Sequence, residues 1–108
     1  MNQRRQDFQK PEFLPFWRKF TRLIRGRVTV LRALDVICRE ETDPVRKDMI
    51  SSMKRTVEKG SPLSVATSEY PQHFSSSIVE LLKTAEKTGA WEEILPEIVD
   101  GLADGTFC

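Results

Sequence analysis

At 108 residues the chain is the size of one domain, long enough to bury a modest core without needing disulfides or a metal. Apolar residues make up 39% and charged residues 31%, and the few glycines and prolines fall at boundaries, which excludes a low-complexity chain and suits a soluble domain with a well-charged surface. The net charge of +1 hides a split: residues 1–32 hold nine Lys or Arg against two acids (+7), whereas residues 60–108 hold eight acids against two Lys (−6). Such a split orients a protein on an anionic surface or fixes how it docks on a partner, unless the charges cancel locally in the fold.

The chain divides into an expected mobile N-terminal arm over residues 1–12, a single helical domain over 13–103 and a C-terminal tail over 104–108. Phe13, Phe16, Trp17, Phe20, Leu23 and Ile24 recur at spacings of three and four. This predicts an amphipathic first helix of about 13 residues with an apolar stripe, ending at Gly26 or Arg27. Arg18, Lys19, Arg22 and Arg25 fall largely on its other side. The second helix is expected from Thr29 to Glu41. Val30, Leu31, Ala33, Leu34, Val36, Ile37 and Cys38 make it apolar around most of its girth, which predicts a central position. Thr42-Asp43-Pro44 breaks the chain, with Asp43 as cap and Pro44 in the first position of the next helix, where no backbone donor is needed.

The third helix, Pro44 to Lys59, carries Val45, Met49, Met53 and Val57 as a strict four-residue stripe, predicting one buried and one wet face. Gly60 supplies its stop. Ser61 is expected to cap a short fourth helix that begins at Pro62 and buries Leu63 and Ala66, with Tyr70-Pro71 ending it. Phe74 reads as a hydrophobic plug beside a fifth helix that starts near Ser75, buries Ile78, Val79, Leu81, Leu82 and Ala85, and stops at Gly89. Trp91, Ile94, Leu95, Ile98, Val99 and Leu102 define the sixth, which Pro96 should kink or shift. No strand pattern is present. The expected fold is all-α, a compact bundle of about six short antiparallel helices.

Little in this chain points to chemistry. His73, the single histidine, sits in a Pro-Gln-His-Phe turn with no second metal ligand near it in sequence. No nucleophile elbow or phosphate loop occurs. Cys38 and Cys108 lack a Cys-x-x-Cys spacing; Cys38 reads as a buried structural thiol and Cys108 as a free terminal one, and reduced cysteines fit a cytoplasmic setting. Glu86, Glu92 and Glu93 bracket Thr88-Gly89, either as part of an oxygen-rich cation site or, for Glu92 and Glu93, as first-turn acids favouring a helix N-terminus. No catalytic, cofactor-binding or metal residue is assigned, and no enzyme activity is expected. The apolar second helix argues against a DNA reader. Basic charge beside aromatic residues in the first helix leaves peripheral contact with anionic lipid open, with core burial of Phe16 and Phe20 as the competing fate. No run reaches the ~18 apolar residues of a membrane span, and the N-terminus lacks the apolar core of a secretory signal.

In their order, these elements resemble the cytoplasmic domain of the type II secretion system F family, inner-membrane platform proteins shared with type IV pilus assembly. The resemblance covers Phe16 to Leu102. Phe16, Phe20 and Leu23 stand in the family's Phe-x-x-x-Leu-x-x-Leu element. Val30-Leu31-Arg32-Ala33-Leu34 matches its Leu-x-x-Ala-Leu run. The family's Gly-x-Ser-Leu-Ser element appears as Gly60-Ser61-Pro62-Leu63-Ser64, followed by Ala66, Pro71 and Phe74. Ala85-Glu86-Lys87-Thr88-Gly89 matches the Gly-Glu-x-Ser/Thr-Gly signature. The departures are Arg27 at the family's turn glycine, with Gly26 one place early, Thr29 at its usual proline, Ala85 at the first signature glycine and Trp91 at a leucine. Whole members carry two such domains and three membrane helices, so the chain reads as one domain of such a protein or as a small free-standing relative.

The resemblance implies a non-enzymatic scaffold for protein transport, at the inner face of the bacterial inner membrane. Its implied partners are the cytoplasmic secretion or pilus ATPase, other inner-membrane assembly proteins and a second copy of the chain. The alternative is a free-standing helical adaptor without a secretion role. Gly60, Ser61, Leu63, Phe74 and Gly89 form the structural signature. Candidate contacts are Arg18, Arg22, Arg25 and Arg32, as charge partners for acidic surfaces, and Glu86, as a turn-fixing carboxylate or contact.

Overall fold

Helix ends in this chain are set by caps that the sequence carries locally. In the computed structural model, which describes residues 13–106, they delimit six helices and, among the described residues, no strand. The helices are α1 Leu14–Arg25, α2 Val30–Glu40, α3 Pro44–Glu58, α4 Leu63–Ser68, α5 Ser76–Thr88 and α6 Trp91–Ala103. The expected arm over residues 1–12 and the last two tail residues, Phe107 and Cys108, lie outside the described residues; residues 104–106 form a turn. Among the described residues no helix is long and apolar enough to cross a membrane.

Each of three side chains accepts a hydrogen bond from an otherwise unpaired N–H in the first turn of a helix. Thr29 Oγ1 accepts from Arg32 N–H (3.2 Å), Asp43 Oδ2 from Arg46 N–H (2.9 Å) and Ser75 Oγ from Ile78 N–H (3.4 Å). Thr29, standing where the family pattern has proline, therefore caps α2. At the end of α1 the Arg27 N–H bonds to the Ile24 carbonyl at 2.9 Å and the Val28 N–H to the Leu23 carbonyl at 3.0 Å. That closure requires a left-handed residue just past the cap. The residue there is Arg27, at φ 70, while Gly26 has an ordinary φ of −84. The glycine is thus one position away from where the backbone needs it.

Each helix packs on its successor in the chain, and α1 also packs on α6, so the six close into a ring around one core. The buried aromatic residues gather where α1 faces the segment between α4 and α5. Phe13, Phe16, Trp17, Phe20 and Phe74 are all buried. Phe13 and Phe74 have centroids 4.8 Å apart, Phe16 meets Trp17 edge-on at 4.9 Å, and Trp17 meets Phe74 edge-on at 6.0 Å. Such pairs add about 0.5–1.5 kcal/mol each beyond their area burial. Trp17 Nε1–H has no hydrogen-bond acceptor in this aromatic surround.

Four expectations need correction. Val45 is not on the buried face of α3: it is 69% exposed, and Ile50, together with Met53, is fully buried. A strict four-residue spacing drifts by about 40° per step, so a stripe centred on Met53 leaves Val45 roughly 80° behind it, while Ile50 falls on the core side. Second, α2 is not central. It fully buries only Ala33, Leu34 and Ile37, and leaves Leu31 and Val36 half-buried. Its outer surface carries Arg32, Arg39 and Glu40, all exposed. Third, of the two effects expected of Pro96, the shifted start does not occur: α6 begins at Trp91 and runs to Ala103 with Pro96 inside it. The carbonyl it deprives of a donor is that of exposed Glu92, where water can serve. Fourth, Cys38 is half-buried, with its S–H directed at the Lys47 carbonyl 3.8 Å away.

Of the basic excess in residues 1–32, one charge is paired among the described residues, and the middle of the chain pairs its own charges. Lys19 of α1 pairs with Glu40 of α2, and Arg46 pairs with Glu41 at 3.3 Å. Asp35 receives Lys54 Nζ at 2.9 Å and Arg39 at 2.6 Å. The Lys54 hydrogen bond, reinforced by the charges of Arg39, Lys54 and Arg32, holds the Asp35 carboxyl below its usual range against a smaller opposing effect of burial. Burial pushes the Glu41 carboxyl up, but the Asp43 N–H and Arg46 together outweigh it and the net direction is down.

Two outcomes follow from this architecture. Arg27→Gly should stabilise the domain by about 1 kcal/mol, because it removes the cost of a side chain in the left-handed region; urea unfolding at constant m measures this. A carboxyl whose folded pKa lies below its unfolded value stabilises the fold above the unfolded value and loses that contribution as pH falls through the folded one. Asp35→Asn should therefore flatten the pH dependence of stability below about pH 4 and leave its shape near neutrality unchanged, as followed by thermal melts across a pH series.

Candidate functional site

Helix α4 is six residues long and has no side-chain cap of its own: its N-cap is Pro62, and Ser61 makes no capping bond. The expectation that Ser61 caps it is thus overturned. The cap arrives from 22 residues away. Glu86, in the last turn of α5, accepts the Ser64 backbone N–H on Oε2 at 2.8 Å and the Ser64 hydroxyl on Oε1 at 2.7 Å. Both carboxylate oxygens are engaged, and a negative charge is placed at a helix N-terminus, where unpaired N–H groups favour it. Ser64 is itself 3% exposed, so its hydroxyl and amide have little access to water.

Two glycines frame this pair. Gly60 follows α3 at φ 105, with the Ser61 N–H bonded back to the Thr56 carbonyl at 3.2 Å. Gly89 follows α5 at φ 79, its N–H bonded to the Ala85 carbonyl at 2.8 Å. Both are left-handed stops that a side chain would strain. Leu63 and Phe74, at 2% and 1% exposure, anchor the two ends of the segment that Glu86 organises. Gly60 and Gly89 thus end the helices on either side of the Glu86–Ser64 contact, and Leu63 and Phe74 are buried beside it.

The predicted arginines separate into two sets. Arg18, Arg22 and Arg25 are exposed on α1 at positions i, i+4 and i+7, a row about 10.5 Å long. With Thr21 they line a groove of about 270 Å³ whose other wall is Pro96, Val99 and Asp100 of α6. None of the three makes an ion pair within 4 Å among the described residues, although Asp100 borders the groove. Arg32 is not part of this row. It lies on α2, where its charge acts on Asp35 beside Arg39 and Lys54.

A second groove, about 540 Å³, was not anticipated. Pro44, Val45, Asp48, Met49, Ser52 and Arg55 of α3 and Tyr70 line it. The drift of the four-residue stripe was the available signal, since it carries Val45 out of the core toward this surface.

His73 is exposed and sets its ring edge-on to Phe13 at 5.6 Å. Glu92 and Glu93 are exposed in the first turn of α6, while Glu86 is committed to Ser64. Among the described residues no three His, Cys, Asp or Glu side chains come together in a way that could hold a metal ion. What the arrangement offers is surface: a basic ridge along an apolar-floored groove.

The family model for "Type II secretion system (T2SS), protein F" matches residues 16–104, nearly the whole of the ring just described. The chain belongs to this family. Among similar proteins are the type IV pilus assembly protein TapC of Aeromonas hydrophila, 27% identical over 75% of the chain and 20% of the relative, and the type IV pilus assembly protein PilC of Myxococcus xanthus, 29% identical over 78% and 20%. The type II secretion system protein F of Xanthomonas campestris pv. campestris is 25% identical over 92% of the chain and 24% of the relative. The chain thus spans a fifth to a quarter of the length of the curated relatives it matches. Within this protein F domain, the Gly-x-Ser-Leu-Ser and Glu-x-Thr-Gly elements are the two halves of one contact.

Hydrogen bonds to a charged group contribute about 1.5–3 kcal/mol net, less where water competes. Glu86→Ala should therefore cost about 2 kcal/mol in urea unfolding. Glu86→Gln, whose amide can still accept from the Ser64 N–H and donate to its hydroxyl, should cost no more than half of that. A double-mutant cycle of Glu86→Ala with Ser64→Ala, which keeps the backbone N–H, should show a coupling of about 1 kcal/mol, and additive losses would reject the hydroxyl half of the contact.

Proposed function

We propose that this protein F domain is a non-enzymatic interaction module of a type II secretion or type IV pilus assembly platform. It would work at the inner face of the bacterial inner membrane, contacting the cytoplasmic assembly ATPase and other inner-membrane components. The observation that carries this reading is the row Arg18, Arg22 and Arg25, left without ion-pair partners among the described residues on a chain that belongs to this family. Exposed guanidinium groups in a fixed row are suited to planar carboxylates on a partner surface. A closed ring of helices, tied by the Glu86–Ser64 contact, is suited to passing a load from that partner without deforming.

Lipid contact is the weaker use of the same charge. An interfacial helix needs aromatic side chains to insert, and Phe16, Trp17 and Phe20 are turned into the core.

Capture of the cognate ATPase by the immobilised domain should fall at least tenfold for the triple variant Arg18→Glu, Arg22→Glu, Arg25→Glu. It should be unchanged for Arg32→Glu, with circular dichroism confirming the fold of both. Undiminished capture by the triple variant would remove these arginines from the contact.

A further inference from the structure

The groove between α1 and α6 has a shape and charge that select one kind of occupant, an inference that rests on the interaction-module reading above. We propose that it receives an acidic amphipathic helix of a partner protein. That helix presents carboxylates at i, i+4 and i+7 to Arg18, Arg22 and Arg25, sets an apolar seam on Pro96 and Val99, and places a basic side chain by Asp100.

Spacing is the first argument. Arg18, Arg22 and Arg25 lie within a sector of about 60° on α1 and span about 10.5 Å along it. Carboxylates at the same intervals on a second helix repeat that length and that sector, so three ion pairs form in register without bending either backbone. An extended strand puts alternate side chains about 6.6 Å apart on one face, so its second carboxylate still meets an arginine about 6 Å on, but its third, at about 13.2 Å, overshoots the last arginine at about 10.5 Å.

The floor is the second. Val99 is half-buried and packs on the core, Pro96 is half-buried beside it, and Thr21 is 8% exposed with its hydroxyl bonded to the Trp17 carbonyl at 2.7 Å. Thr21 therefore offers the groove little beyond its methyl face. The result is an apolar strip between a basic wall and one acidic residue, the inverse of an amphipathic helix with an acidic flank.

Shape and charge fit the other classes less well. At about 270 Å³ the groove is smaller than a typical small-molecule pocket of about 300–1,000 Å³, and it is open along its length. Asp100 on its rim opposes a polyanion such as nucleic acid or a lipid headgroup layer, which has no cation to offer it, whereas a helix can carry a lysine at that point.

Nuclear magnetic resonance titration of the ¹⁵N-labelled 108-residue chain tests this. The probe is an alanine-based helical peptide with Glu at i, i+4 and i+7, Leu at i+3 and i+10, and Lys at i+6. The control has the same composition with the three Glu spread evenly around the helix. Expected are shifts at the amides of Arg18, Thr21, Arg22, Arg25, Val99 and Asp100, a dissociation constant at least tenfold weaker for the control peptide and for Arg18→Glu/Arg22→Glu, and weakening with salt. Equal binding of the two peptides, or shifts centred elsewhere, overturns the proposal. So does a response of these amides to phosphatidylglycerol vesicles but not to the peptide, which assigns the groove to lipid. So does sedimentation showing self-association of the chain that Arg18→Glu/Arg22→Glu abolishes, which assigns it to a second copy. Peptide binding as expected without capture of the ATPase leaves the groove's chemistry standing and rejects the partner named above. ATPase capture without peptide binding does the reverse.

Discussion

The short helix α4 cannot close its own N-terminus, and the fold is built around how that end is satisfied. Pro62 offers no capping side chain, and the Ser64 amide and hydroxyl are both out of water. Glu86 supplies both acceptors at once. Because the carboxylate sits on α5, the bond fixes α4 against α5, and Gly89 can end α5 just beyond it without strain. With α4 held, Leu63, Ala66 and Thr67 are all buried, and the chain leaving it brings Phe74 against Phe13 and Trp17. A contact on one side of the ring thereby sets the aromatic packing of α1 on another.

Helix α1 then has two faces with different tasks. Its aromatic face is turned inward and gives the domain its largest buried side chains. Its arginine face is held outward beside α6, and rigid inner packing makes the spacing of Arg18, Arg22 and Arg25 a fixed property of the surface. Pro96 contributes to that surface from α6. It has no N–H and sits on the half-buried flank, so its ring is available as apolar floor where another residue would place a flexible side chain. The family match over residues 16–104 takes in both helices and the contact that supports them.

The basic charges of α1 to α3 fall into three kinds of place. Lys19 is neutralised by Glu40 across α1 and α2. Asp35 gathers Lys54 and Arg39 and feels Arg32, so these three charges of α2 and α3 share one local carboxylate. The α1 row has no ion-pair partner within 4 Å among the described residues; the same holds for Arg32, Lys47 and Arg55, but of these only the row borders the groove shared with α6. Net charge alone could not distinguish these cases: Arg25 and Arg32 are both exposed, but Arg32 has Asp35 three residues on along its own helix, whereas Arg25 borders a groove whose other wall comes from α6.

Helix number, order and most boundaries were legible in the sequence because their signals act within about four residues: Asp43-Pro44 and Ser75 as starts, Gly60 and Gly89 as stops. The buried faces of α1, α5 and α6 were legible for the same reason, since periodicity is a local property. The candidate site was half legible. Periodicity put the arginines on the outer side of α1, but their groove is shared with α6, which begins more than 60 residues further on. Val45 was misplaced because a four-residue stripe is not parallel to a helix axis, and only the neighbours of α3 decide where along that drift the core lies. Ser61 was misread as a cap because a serine beside a helix start is the commonest local solution. The actual donor–acceptor pair, Ser64 with Glu86, joins residues that only the packed ring brings within 3 Å. Local hydrogen bonding and helical periodicity determined which helices exist, whereas long-range packing decided which charges stay free and which carboxylate holds the bundle together.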